Sequence, residues 1–309
     1  MNPKLRAACE HRSGWFNRAD VLAAGYSDAE LRNRLRRGQW SRLGRDAFVE
    51  PSEWPVGEQP WDRARRLHLL AARALTARLD DVVISHQSAA VVHGLPTWGL
   101  DLRRVHVSRA VGRVRSSSSL HVHRSAVDPD EITEVDGLRV TTVERAITET
   151  TCTTSYEVGV VLGDAALRKR LTVPEQLVAA ADRRLHWRGS PAARSAARFA
   201  DGLSESVGES RLRVVMDNHG LPRPALQVEI RDESGRLIGR VDFLLGEILI
   251  VEFDGALKYG STADAVLAEK WREDRLRERG YGFARVGWKD FDRPAALAAR
   301  LQRRLTSGH

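Results

Sequence analysis

The hydrophobic pattern is sharpest in the last third of the chain. Ile248, Leu249, Ile250 and Val251 form an unbroken apolar run, the mark of a strand buried on both faces, and the run ends in Glu252-Phe253-Asp254-Gly255. Alternation puts Glu252 and Asp254 on one strand face and Phe253 on the other, while Gly246-Glu247 supplies a turn back to a strand that carries Asp242. A turn centred near Glu247 sets Asp242 opposite Glu252, with Cβ atoms about 5 Å apart. Upstream, Ser206 to His219 reads as a helix with Leu212, Val215 and Met216 on one face and Glu209 in its first turn, stopped by Gly220 and Pro222. Pro224 to Ile230 reads as a strand, Asp264 to Arg279 as a charged helix, Phe283 to Val286 as a strand and Pro294 to Leu305 as the last helix. The order is αβββαβα.

The first 50 residues follow a different pattern. A short helix from Arg18 to Ala24 is closed by Gly25, and Ser27 caps a second helix from Asp28 to Arg37, closed by Gly38. Gln39 to Val49 reads as a β-wing with Arg42, Gly44 and Arg45 at its tip, so residues 1–50 are expected to be a winged helix-turn-helix. Residues 51–60 are a Pro-punctuated linker, and Trp61 to Leu79 has helical apolar spacing. A Val82-Val83 strand, a helix capped by Ser85 and closed by Gly94, and two alternating strands at Val105–Val107 and Leu120–His123 follow. The basic loop Arg113 to Ser119 joins those two strands, and Thr141-x-x-Glu144 and Thr172-x-x-Glu175 read as capping boxes opening two helices. Residues 61–201 are therefore expected to be a middle α+β domain, and residues 202–309 a third domain.

Charge narrows the partner. The net charge is +8, from 49 Lys and Arg against 41 Asp and Glu, and Arg dominates, whose planar fork suits phosphate. GC-rich coding would also enrich Arg, Ala and Val. In the first 50 residues ten basic side chains face six acids, and Arg32, Arg34, Arg36, Arg37, Arg42 and Arg45 lie on the second helix and wing, as expected of a DNA-backbone contact. Two cysteines, Cys9 and Cys152, form no C-x-x-C pair, and no apolar run approaches the roughly 20 residues of a membrane span. The expectation is a cytoplasmic protein with no membrane association.

Three carboxylates at one buried hairpin repel each other unless a cation or proton is held between them, so Asp242, Glu252 and Asp254 form a candidate metal site. His121 and His123 share a strand face, but no adjacent carboxylate or cysteine completes a ligand set, and ordinary sheet packing accounts for them equally.

Glu209, Asp242 and Glu252-Phe253-Asp254-Gly255 in this order of elements resemble the PD-(D/E)XK nuclease superfamily, in the branch of the very-short-patch repair endonucleases, over residues 203–305. The first 200 residues resemble the AbiEi-type antitoxin and regulator family of actinobacteria, through the winged helix, Ser85-His86-x-Ser88-Ala89 and Leu138-Arg139-Val140-Thr141-Thr142. The resemblance implies an α/β multidomain chain: an N-terminal winged helix-turn-helix, a middle α+β domain and a C-terminal restriction-endonuclease-like αβββαβα core. It further implies Mg2+, with Mn2+ able to substitute, held by Glu209, Asp242, Glu252, the Phe253 carbonyl and Asp254, and hydrolysing phosphodiester bonds of DNA. The superfamily lysine two residues after the second acid is Asp254 here, which leaves Lys258 and Lys270 as its expected replacements. Two function classes follow: a metal-dependent DNA endonuclease of defence or repair, and a non-catalytic DNA-binding regulator or antitoxin with a nuclease-like scaffold. Expected partners are DNA and, through the middle domain, a toxin or a second copy of the chain.

Overall fold

The computed structural model describes residues 1–51, 57–112, 115–255 and 263–307, apart from the side chains of 263–266, 268 and 269. They form two compact units, Met1–Leu162 with Glu175–Arg198, and Gly163–Pro174 with Phe199–His309.

The first unit opens with α1 (Pro3–His11), α2 (Arg18–Ala23) and α3 (Asp28–Arg36), followed by the hairpin of β1 (Ser41–Gly44) and β2 (Ala47–Val49). Each of α2 and α3 starts with a reciprocal capping box, Asn17 with Asp20 and Ser27 with Glu30, which satisfies end N–H groups that have no partner inside the helix. Leu5, Cys9, Phe16, Val21, Leu31, Trp40 and Phe48 fill the space between helices and wing. The Trp40 ring meets Phe16 at 5.0 Å and Tyr26 at 5.4 Å, both edge to face. The first helix, α1, was not expected from its apolar spacing; Asn2 caps it and Pro3 opens it.

The long helix α4 (Pro60–Thr76) lays Leu70 and Ala74 against Trp15, Leu43, Ala47 and Val49, so the winged module and the following segment share a core. Behind it stands a five-stranded sheet of β3 (Val83–Ile84), β4 (Val105–Ser108), β5 (Leu120–His123), β6 (Ile132–Val135) and β7 (Leu138–Thr141), ordered β5-β4-β3-β7-β6. Helices α5 (His86–Val92) and α6 (Val143–Thr153) pack against each other. Thr141 does not cap α6: it ends β7, and Thr142 takes the N-cap position without a side-chain bond. Helices α7 (Tyr156–Arg168), α8 (Pro174–Asp182) and α9 (Ser190–Phe199) complete this stretch of chain.

The second unit runs α10 (Val207–Asn218), β8 (Ala225–Arg231), β9 (Leu237–Leu245), β10 (Leu249–Asp254), α11 (Ala263–Glu278), β11 (Gly282–Gly287) and α12 (Pro294–Ser307). Its sheet has the order β11-β10-β9-β8, antiparallel except for the parallel β10 and β11. Gly246 and Glu247 turn the β9–β10 hairpin, both in the left-handed region at φ 58° and 64°. Phe243, Leu245, Leu249 and Val251 pack under Leu212 and Met216 of α10 and Leu297 and Leu301 of α12. Val241, Ile250 and Phe283 pack under Leu276 of α11. The apolar run of β10 is thus covered on both sides by helices, which is why it carries no alternation.

Candidate functional site

The acids of the second unit divide into a pair and a single residue. Glu209 lies in the first turn of α10, where Ser206 caps the helix by accepting the Glu209 N–H at 3.1 Å. Its carboxylate accepts the Glu205 N–H at 2.8 Å, the Ser206 hydroxyl at 2.8 Å and the Gln227 amide at 3.0 Å. Asp242, on β9, accepts the Phe253 N–H at 2.9 Å just past the paired residues Val251 and Phe243. Burial pushes both carboxyls above their ordinary range. Bonds from Glu205 N–H, Ser206 and Gln227 act against that shift, and the charges of Asp242 on Glu209 and of Glu205 on both add to it.

Gln227 joins the pair, since its amide also bonds Asp242. It sits between the register pairs Leu226–Phe243 and Val228–Val241 with φ 52°, a left-handed conformation unusual for a side chain of its size. Gln227 lies in the strand expected from Pro224 to Ile230 but carried no expected role; a polar residue in a partly apolar strand was the available signal.

Glu252 is held elsewhere. Its Oε1 lies 2.6 Å from Nη2 of Arg272 on α11, whose Nη1 also reaches the Arg240 carbonyl at 3.3 Å. Arg272 can approach because Gly239 faces it: a Cβ there would stand 2.9 Å from Cδ of Arg272. Among the described residues Arg272 is a cation at Glu252, while Lys270 is exposed along with Asp274 and Arg277 on another side of α11. Lys258 lies outside the described residues. Asp254 is exposed at the end of β10, and the Phe253 ring packs on Trp288 at 5.2 Å and Phe291 at 5.7 Å. Among the described residues no group of three or more His, Cys, Asp or Glu is arranged to hold a metal ion.

Other arginines of this unit have structural partners. Arg213 is buried against Asp164 at 2.7 Å and the Phe199 carbonyl at 2.7 Å, Arg275 pairs with Asp232 at 3.3 Å, and Arg277 pairs with Glu273. Arg211 stacks over Phe291 at 4.1 Å.

In the winged module Arg32, Arg36 and Arg37 are exposed on and just after α3, and Arg42 and Arg45 are exposed at the wing. Arg34 differs from them: it is half-buried, with its guanidinium 5.0 Å from the centroids of both Tyr26 and Trp40. Arg18 is tied to Asp28 by two bonds of 2.7 and 2.5 Å, which removes one acid from the open field at the start of α3.

The middle segment holds a cluster that the sequence reading saw only in part. His121 and His123 on β5 join His106 on β4 and His86 at the start of α5, with ring centroids between 3.5 and 6.0 Å apart. Adjacent parallel strands in register, His106 beside His121 and Ser108 beside His123, bring these rings together. Sequence spacing alone could not supply that pairing.

Residues 7–51 match the family described as transcriptional regulator, AbiEi antitoxin. An uncharacterized protein of Mycobacterium tuberculosis, in strain CDC 1551 / Oshkosh and again in strain ATCC 25618 / H37Rv, is 29% identical over 241 residues, covering 74% of this chain and 85% of the relative. Among the described residues no helix is long and apolar enough to cross a membrane.

Proposed function

We propose that the chain is a DNA-binding transcriptional regulator of the AbiEi antitoxin kind, with a C-terminal unit that resembles a PD-(D/E)XK nuclease and acts as a scaffold. The observation that carries the reading is the winged module: five exposed arginines on a doubly capped helix-turn-helix and its wing, inside the stretch similar to that regulator family. Such side chains neutralise phosphates and release counterions, which gives affinity before any base is read. The antitoxin likeness adds a toxin as a second expected partner.

The scaffold reading rests on the acids. The element order and the Glu209–Asp242 pair agree with what the resemblance to those nucleases implies, but Glu252 is bonded to Arg272 and Asp254 stands where their lysine is expected. A carboxylate-held magnesium needs several oxygens converging on one point, and this donor set does not fit it while the Arg272–Glu252 bond is closed. An Mg2+- or Mn2+-dependent endonuclease is the second reading, favoured by the raised carboxyls of Glu209 and Asp242.

The test uses the full-length chain on duplex DNA over a salt series. Log affinity is expected to fall linearly with log salt, and Arg32→Ala and Arg36→Ala are each expected to flatten the slope by about one unit. Absence of any salt-dependent duplex binding overturns the regulator reading. Plasmid incubated with magnesium or manganese is expected to stay intact. Cutting that is lost in Asp242→Ala would establish the endonuclease instead.

A further inference from the structure

The histidine cluster has no part in either reading, and its hydrogen bonds fix the proton positions of His106 and His68. The His106 Nε2 accepts from the Gln87 amide at 2.9 Å, so its proton is on Nδ1, which donates to His123 Nε2 at 2.9 Å. His68 of α4 bonds the Leu102 carbonyl through Nδ1 at 3.0 Å, so its Nε2 accepts the Ser88 hydroxyl at 2.9 Å, and that hydroxyl oxygen accepts the His106 N–H at 2.7 Å. Around these bonds His86 stacks on His123 at 3.5 Å with 9° between planes, and His106 stacks on His121 at 4.8 Å with 10°.

A proton added along the Gln87–His106–His123 chain has nowhere favourable to go. On His106 Nε2 it meets the Gln87 N–H; on His123 Nε2 it meets the His106 N–H. Either bond is lost, and the new charge lies against a stacked imidazole in a buried setting. The surroundings supply little compensation. From α6, Glu149 faces His86 at 3.5 Å but already accepts the His86 backbone N–H at 3.1 Å and an Arg145 N–H at 2.8 Å. Arg145 itself, also paired with Glu131, repels charge on His86, and Arg104 repels charge on His121. Glu131 is taken up by Arg184 as well. At the far end of α5, His93 bonds the Thr141 carbonyl at 2.7 Å and faces Glu144. From α4 and β4 the facing groups are His68 and Ser108. Burial and the neighbouring rings accordingly push His86 and His123 down to about 3 and His106 to about 2, and burial lowers His121.

We propose that His86, His106, His121 and His123 form an acid-operated lock between α5 and the β4–β5 edge, closed when the rings are neutral and released when they are protonated. The lock reaches the winged module through named contacts. His68 and Ser88 tie α4 to α5 and β4, and α4 carries Leu70 and Ala74 into the core beneath the wing. His86 itself is held at φ 54°, so releasing its ring also frees a strained backbone turn at the start of α5.

The experiment measures urea unfolding of the full chain at pH steps from about 8 to about 4.5 and reads the slope of log unfolding constant against pH, which counts protons taken up. Above about pH 7.5, a unit over the ordinary imidazole value, the rings are expected to contribute no slope; near pH 5 they should contribute about three protons or more, offset by the raised carboxyls. His106→Asn and His123→Asn should each lower that count by about one. A count is used because simple destabilisation by a variant moves the midpoint and not the number of protons. Duplex affinity gives a second readout, which rests on the DNA-binding reading. Added positive charge alone would tighten DNA binding as pH falls, and the lock instead weakens it at least about tenfold by pH 5. The same slope in both cluster variants as in wild type overturns the proposal whether or not the chain binds DNA.

Discussion

A Cβ added at Gly208 would lie 1.9 Å from Cε1 of Phe253, whose ring is fixed in turn by Trp288 and Phe291. The start of α10 therefore rests directly on the end of β10, which places Glu209 beside the strands carrying Gln227 and Asp242. Gly208→Ala is expected to destabilise the second unit by about 1–3 kcal/mol, the usual cost of overpacking, read from urea unfolding of the full chain. A loss under about 0.5 kcal/mol would mean that the Phe253 ring moves freely. Arg34 shows how placement changes a residue's meaning. On the sequence it is one of six equivalent arginines, but in the fold it lies against Tyr26 and Trp40. Arg34→Ala is expected to cost about 1 kcal/mol of stability in the first unit while leaving the salt slope of DNA binding close to wild type.

Among the elements, α10 depends most on its first turn. Ser206 both caps the helix and donates to Glu209, so Ser206→Ala removes one bond to the backbone and one to a buried carboxylate. The expected loss is about 1 kcal/mol from the cap and more from the exposed need of Glu209, with Ser206→Asn restoring most of the cap term; equal losses in both variants would show that capping is not the cause. Some end signals were legible because they are local. Ser27, Gly25, Gly38 and the Gly246-Glu247 turn each act within a few residues, and the register of β9 and β10 followed from that turn, whereas Ser206 was expected as the first helical residue and is the cap. Where the reading depended on distant partners it fell short. Lys270 and Arg272 are two residues apart on one helix, and only the packing of Leu276 under the sheet decides which of them meets Glu252. Likewise the His86, His106 and His121–His123 segments are separated by 15 residues or more, and their meeting depends on the parallel pairing of β4 with β5. Arg213 and Asp164 form a buried pair across 49 positions, which no local pattern announces.

At the scale of the whole molecule, the two units carry opposite responses to pH. In the first, His86, His106, His121 and His123 all have depressed pKa values in the fold, so the stability tied to their neutral forms is complete above about pH 6.5 and is lost as pH falls below it. For the buried His86 and His106 the loss by pH 5 is about 2 kcal/mol each. Glu149 opposes this, since burial raises it, but it is one carboxyl against four rings. In the second unit Glu209, Asp242 and Asp164 are all raised by burial. A raised carboxyl stabilises the fold when protonated, so its contribution is present below the ordinary carboxylate range and is lost as pH rises through the folded value. Lowering pH from 7 to about 5 is therefore expected to reduce native-state hydrogen-exchange protection in β4 and β7 and to hold or increase it in β9 and β10, after correction for intrinsic exchange rates. Asp242→Asn removes one of the raised carboxyls and should flatten the response of β9 and β10 without altering that of β4. Parallel loss of protection in both sheets would show that the carboxyls of the second unit titrate as in water, and that their burial carries no linkage to stability.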